Sequence, residues 1–147
     1  MSTPLYTNPK LLRDRLLELR KEREHRKQST DRRPRSRLND RDRQLVLTAT
    51  AGRCHICGGE VDAQWQADHV LAYSGGGSND HNNFLPAHAL CNNYRWDYLP
   101  EEFQLILKLG VWARTEIEKD TRNGQEIAAS FSAKESSVKS RREARKV

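Results

Sequence analysis

Between positions 54 and 95 two sets of ligand-type side chains interleave. Cys54, Cys57, His88 and Cys91 make one C-x2-C and one H-x2-C pair, the donor types and spacing of a closed zinc site. Zn2+ held by four protein ligands has no open position, so its expected role is structural. The second set is Asp68-His69, Asn83 and Asn92, with Arg95 just beyond. Carboxylate and amide oxygens suit a hard divalent cation such as Mg2+ or Mn2+, with coordination positions left over. A neutral imidazole can take a proton from water near neutral pH. Hydrolysis of a phosphodiester needs these parts: an activated water, neutralised phosphate charge and a stabilised leaving oxygen. Asp68 and the Asn92 amide oxygen are the candidate ligands and His69 the candidate base. Arg95 is the candidate clamp for a non-bridging phosphate oxygen.

Each of these residues also has a plainer reading. An isolated Asp-His pair is usually a surface or hydrogen-bonded pair. Asn79, Asn82, Asn83, Asn92 and Asn93 could all make turns, as loop asparagines usually do. His55 and His81 read as solvent-exposed or structural. The four-ligand pattern is more specific; its competitor is a packed His88 beside buried thiols.

The elements that must position these groups follow from the local pattern. Asn8-Pro9 opens a helix, and Leu12, Leu16 and Leu19, with Leu5 and Leu11 nearby, give it an apolar stripe to about Gln28. The stripe could dock on the body, pair with a second copy or contact a partner. Ser29 to Arg37 has no apolar residue and one proline, and reads as a flexible basic linker. Asn39 or Asp40 caps a short helix to about Ala51, which Gly52 ends. Gly58-Gly59 fits a turn behind the first thiol pair. Val61 to Tyr73 reads as one strand and Asn83 to Pro86 as its partner, joined through Gly75-Gly76-Gly77. On a strand Asp68 and His69 point to opposite faces, so both serve one site only if the strand bends or a ligand sits at its edge. A short helix from Ala89 to about Trp96 puts Asn92 and Arg95 one turn apart. Pro100-Glu101-Glu102 opens a longer helix that Gly110 could kink, Asn123-Gly124 makes a turn, and a weak helix fades into the basic end.

The stretch Cys54 to Arg95 resembles the HNH nuclease module. The shared pattern is a C-x2-C, Asp-His-hydrophobic (Asp68-His69-Val70), a Gly-rich loop, Asn83-Phe84, then a second zinc pair and Asn92. The resemblance implies an α+β fold: a small ββα-metal core stapled by zinc, flanked by N- and C-terminal helices and basic arms. It also implies that His69 is the general base, that Asp68 and Asn92 hold a catalytic Mg2+ or Mn2+, and that Asn83 braces the hairpin loop. Two departures stand out. His88 replaces the first cysteine of the second zinc pair, and Leu71-Ala72 follow where many members have a proline.

Composition sets the surroundings. The chain has 147 residues, a net charge of +6, 35% hydrophobic and 31% charged residues, which allows one modest domain with appendages. Residues 1–44 carry 14 Lys/Arg against 7 Asp/Glu, residues 45–133 carry 6 against 11, and residues 134–147 carry 6 against 2. Basic ends around an acidic, metal-holding centre suit a polyanion such as DNA. Arg32, Arg33, Arg35 and Arg37 join Arg95 as candidate nucleic-acid contacts. If the arms neutralise about six phosphates, log affinity falls with log salt at a slope near −5. The expected organisation is a basic arm and linker over 1–37, a nuclease domain over 38–120 with its motif core at 54–95, and a basic tail over 121–147. All three cysteines belong to the metal pattern, which fits a reducing compartment. With no apolar run of membrane length and no secretion signal, the expected location is the cytoplasm, in a bacterial or phage setting. The expected activity is a DNA endonuclease leaving 5′-phosphate and 3′-hydroxyl ends. Its rivals are a non-catalytic zinc-stapled nucleic-acid-binding or adaptor protein, and a nuclease acting on RNA. One active site cuts one strand, so a double-strand break calls for a homodimer or larger complex, or for two nicks.

Overall fold

Why the hairpin is short is visible at both of its ends. In the computed structural model, which describes residues 6–29 and 37–146, only Gln66–His69 (β1) and Phe84–Ala87 (β2) pair, antiparallel, with Asp68 opposite Leu85 and His69 opposite Phe84. The strand expected from Val61 to Tyr73 is cut short. Asp62 turns the chain before it, its carboxylate accepting from Gln64 N (2.8 Å) and its carbonyl from Trp65 N (3.2 Å). After His69 a side chain takes over the work of a strand. Asn83 accepts from Leu71 N (2.9 Å) and donates to Leu71 O (3.1 Å), and 3-10 turns form at Tyr73–Gly75 and His81–Asn83. Gly77 is needed there for space: a β-carbon on it would stand 1.9 Å from Leu71 O.

Two helices lead up to the hairpin. The first, α1, runs Pro9–Ser29, and Asn8 caps it, its side chain accepting from Lys10 N (2.8 Å) and Leu11 N (3.3 Å). The second, α2, runs Asp40–Thr48, capped by Asn39, and packs Val46 (1% exposed) toward β2 and the His81–Asn83 turn. It ends sooner than expected because Ala51 and Gly52 both take left-handed conformations and Gly52 N returns to Leu47 O (3.0 Å). Residues 30–36 of the expected linker, with Arg32, Arg33 and Arg35, lie outside the described residues, as does Leu5; Arg37 is exposed.

The leucine stripe of α1 is used internally: Leu19 is 1% exposed, Leu12 and Leu16 half-buried. Ion pairs reinforce it. Arg15 makes two bonds to Glu101 (2.9 and 2.6 Å), Lys27 pairs with Asp97 (2.5 Å) and the buried Arg23 with the buried Glu102 (3.1 Å). Removing one partner of a buried pair costs about 3–5 kcal/mol. Arg15, Arg23 and Lys27 of α1 are thereby neutralised within the protein. Residues Ala89–Arg95 (α3) follow β2 and pack on β1.

Pro100–Glu118 (α4) opens as a capping box does, Glu102 accepting from Leu99 N (2.9 Å), and it continues through Gly110. The chain divides into two compact units, Met1–Phe103 and Gln104–Val147, so the division falls inside α4. In the second unit Arg122–Ala144 forms α5, a longer helix than the sequence suggested. Thr121 caps it, accepting from Gly124 N (3.0 Å). Asn123-Gly124 is therefore inside its first turn and does not form a separate turn. Gly124 is required for close approach: a β-carbon would stand 2.1 Å from Glu116 O.

Candidate active site and metal centre

The cysteine knuckle is built by the backbone. Cys54 N donates to Gly59 O (2.8 Å) and Gly58 N to Cys54 O (2.8 Å), so the C-x2-C segment folds back on itself. His88 and Cys91 come from the β2–α3 junction. The ligand atoms of Cys54, Cys57, His88 and Cys91 all lie within 4.8 Å of one another. Donors around a tetrahedral Zn2+ stand roughly 3.3–3.8 Å apart, so the cluster closes on one ion with little movement. His88 Nε2 is 2.8 Å from Glu60 O. A carbonyl only accepts, so Nε2 carries a proton in either charge state, and Nδ1, 3.3 Å from Cys57 Sγ and 3.8 Å from Cys91 Sγ, is the nitrogen a cation would take in place of a proton. The Glu60 carbonyl that holds His88 in this way has no signature in the sequence.

Proton affinities in the cluster are spread apart. Burial pushes the Cys54 thiol up, but backbone N–H groups of Cys57, His88 and Ile56 outweigh it and bring it to about 6. Burial, then the neighbouring Cys57 and Cys54 thiols, push Cys91 up to about 12. The Glu60 carbonyl, then the Cys57 thiol, raise His88 to about 8. Three thiols in one small volume cannot all ionise unaided, and a divalent cation at their centre resolves that conflict. The donor set could hold zinc.

The second set of residues converges beside it. One cleft of about 810 Å3 is lined by Gln66, Asp68, His69, Asn79, Asn92 and Arg95, among others. Asp68 and His69 do share a site, because β1 ends at His69 and both side chains line this cleft. Asp68, 6% exposed, is held from two sides. His55 Nε2 is 2.8 Å from Oδ2, while one Arg95 nitrogen lies 3.2 Å from each carboxylate oxygen. Arg95 also donates to His69 O and Val70 O, both at 2.9 Å. Its guanidinium is thus directed into the fold.

His69 is half-buried, its ring 4.1 Å from that of Phe84 and 5.7 Å from that of Tyr73. Its Nε2 lies 3.1 Å from Asn79 Oδ1. An amide oxygen accepts, so this contact places the proton on Nε2 and leaves Nδ1 as the basic nitrogen of the neutral ring. Asn83 turns its amide to the loop, bonding Leu71 and donating to Ser78 O (2.9 Å). Asn92 donates from Nδ2 to Gln66 Oε1 (2.7 Å), which leaves Oδ1 as its acceptor atom. The cleft is also lined by Arg43, stacked 4.1 Å over Trp65, and Lys27, 4.3 Å over Trp96.

Three participants were not singled out by residue type and spacing: His55, Gln66 and Asn79. Gln66 had a usable signal, since it stands two positions before Asp68 on a strand and shares its face. His55 and Asn79 had none, because their partners lie 13 and 10 residues away through loops.

Two comparisons with known proteins are empty: no curated protein and no solved structure matches the chain. The third, against protein-family models, matches residues 54–95 to the HNH endonuclease family. The matched segment begins at Cys54 and ends at Arg95, the bounds of the two interleaved ligand sets, so the chain carries an HNH domain at residues 54–95.

Proposed function

We propose that this protein is a metal-dependent DNA endonuclease of the HNH type. The observation that carries the proposal is that Asp68, His69 and Asn92 line one cleft, with His69 Nε2 engaged by Asn79 and Asn92 Nδ2 by Gln66. The atoms left facing chemistry are a basic nitrogen and two kinds of oxygen donor. Zn2+ would sit at Cys54, Cys57, His88 and Cys91. Asp68 and Asn92 would hold Mg2+ or Mn2+, which fits their oxygens; bound there, it would neutralise charge on the phosphate and the departing oxygen. His69 takes the proton from water through Nδ1, and Asn79 keeps the ring in the tautomer that allows it. Asp68 is kept in place by His55 and Arg95. Breaking the bond to the 3′ oxygen leaves 5′-phosphate and 3′-hydroxyl ends. Asn83 keeps the loop closed behind His69. Arg43, which lines the cleft, and the exposed Arg37 supply cationic groups for the DNA backbone.

The test is cleavage of supercoiled plasmid by wild type and His69→Ala, in Mg2+, in Mn2+ and in EDTA. Nicking that needs the metal and vanishes in the variant is the expected result. No cleavage by a folded, zinc-loaded wild type would sink the proposal in favour of a zinc-stapled binding protein.

A further inference from the structure

His55 stands between two thiols of the cysteine knuckle, and the pattern of ligand spacings gives it no task. The structure does. Its backbone N–H donates to Pro86 O (2.9 Å), tying the knuckle to β2. Its side chain is 15% exposed and reaches the carboxylate of Asp68 in β1 (2.8 Å). That is the shortest of the three side-chain contacts Asp68 makes, the two from Arg95 being 3.2 Å. An ionised carboxylate only accepts, so His55 donates from Nε2–H to Oδ2.

We propose that His55 is a positioning residue through which the cysteine knuckle holds Asp68 ready for a divalent cation. This rests on the reading of Asp68 as a ligand of that cation. A carboxylate at a cleft has two soft torsions and rotates unless something stops it. Here Oδ2 is pinned by a ring whose backbone is fixed on one side by the thiol turn and on the other by β2. The second oxygen, Oδ1, keeps only the longer Arg95 contact and offers lone pairs to a cation. The two metal centres are then mechanically joined through one residue. Partners of this kind, standing behind a ligand, typically govern metal affinity or activity by about 10–100-fold.

A buried histidine satisfied by a nearby carboxylate would show the same contact and no effect on a second metal, so the test must read that metal directly. Mn2+ binding to the full-length, zinc-loaded chain is measured by electron paramagnetic resonance, with Asp68→Ala as the control that locates the site. His55→Phe keeps a ring of similar size and loses the donor, whereas His55→Gln places an amide N–H near the position of Nε2. Zinc content and far-ultraviolet circular dichroism are measured for each. The expected result is Mn2+ affinity weakened about 10–100-fold in His55→Phe, within about threefold of wild type in His55→Gln, and one zinc per chain in both. Unchanged Mn2+ binding in His55→Phe with zinc retained would overturn the proposal. So would loss of zinc from both variants, which would make His55 a part of the knuckle alone, or a wild type that binds no Mn2+. A wild type whose Mn2+ binding depends on Asp68 and His55 as expected, but which cuts no DNA, would sink the nuclease reading and leave this one standing.

Discussion

The two ligand sets inside residues 54–95 are held in opposite ways. The Cys/His cluster is shaped by a local backbone turn, Cys54 to Gly59 and Gly58 to Cys54, and by one carbonyl distant in sequence, Glu60, behind His88. The Asp68/His69 cleft is held by side chains from separate elements: His55 from the knuckle, Arg95 from α3, Asn79 from the loop, Gln66 from β1. The first can close around an ion that it encloses. The second keeps acceptor atoms open, as a site must if water and substrate are to enter. The two sets are thus built from different atoms in one short segment, joined at the knuckle's own His55.

The largest effect should come from breaking the closed set. Cys91→Ser removes one of the four donors of the cluster that could hold zinc at the β2–α3 junction. Binding of structural zinc is worth about 10–16 kcal/mol in small zinc modules. We expect loss of stoichiometric zinc and of the cooperative thermal transition of the HNH segment, read by metal analysis and circular dichroism. A Cys91→Ser protein that melts like wild type would show that the core stands without its staple.

Breaking the open set should instead spare the fold. His69→Ala should lower cleavage about 10²–10⁴-fold, the usual worth of a general base, with zinc content unchanged. Asn79→Ala sharpens the point. If Asn79 fixes the tautomer, its loss should lower the rate at saturating metal and leave the metal requirement as it was, read from initial rates across Mg2+ concentration. A shift in metal requirement alone would place Asn79 among the groups that hold the cation.

The same contrast explains what the sequence made legible. The Cys/His spacing reports a local turn, and local turns are written in adjacent residues, so all four cluster residues could be named. Asn8, Asn39 and the Gly58 turn were readable for that reason too. Asp68, His69, Asn83 and Asn92 were found as a pattern, but what holds each one was not, because the partners are brought in by tertiary contact. The strand ends failed similarly: Asp62 and Asn83 compete for the backbone with side-chain oxygens and amides that no alternation of apolar residues reveals. At Gly124 the glycine signal was genuine but its cause was a close approach to Glu116, where the sequence suggested a turn.

Gln66 gives a smaller effect. Its Oε1 accepts from Asn92 Nδ2 and so fixes which end of that amide is free. Gln66→Ala lets that amide rotate and should raise the Mg2+ concentration for half-maximal cleavage about 10-fold. Gln66→Glu keeps the acceptor oxygen and should stay near wild type. If both variants shift equally, Gln66 acts by packing and the amide orientation of Asn92 has some other cause.

The smallest effect lies outside both sets, where α1 is fixed to the segment that follows α3. Arg15, by hydrogen bonding, holds the Glu101 carboxyl below its ordinary value; burial opposes this, and Tyr6 and the Arg15 charge add to it. A carboxylate whose folded pKa is depressed binds fewer protons folded than unfolded. Its contribution is therefore complete above the unfolded value of about 4.3 and is lost as pH falls through the lowered folded one. Both partners are about a third exposed, 31% and 28%, so solvent screening limits the pair to about 1 kcal/mol. Acid also strips zinc from thiolates, and wild type alone would confuse the two causes. Glu101→Gln separates them, because it is neutral at every pH. At pH 7 it should be less stable than wild type by a few degrees in thermal midpoint. The difference should shrink toward nothing below pH 4, while both proteins lose zinc together. A gap that stays constant as pH is taken from 7 down through the lowered folded value, to about pH 2, would mean that Glu101 holds α1 by shape and hydrogen bonding, and that its charge contributes nothing.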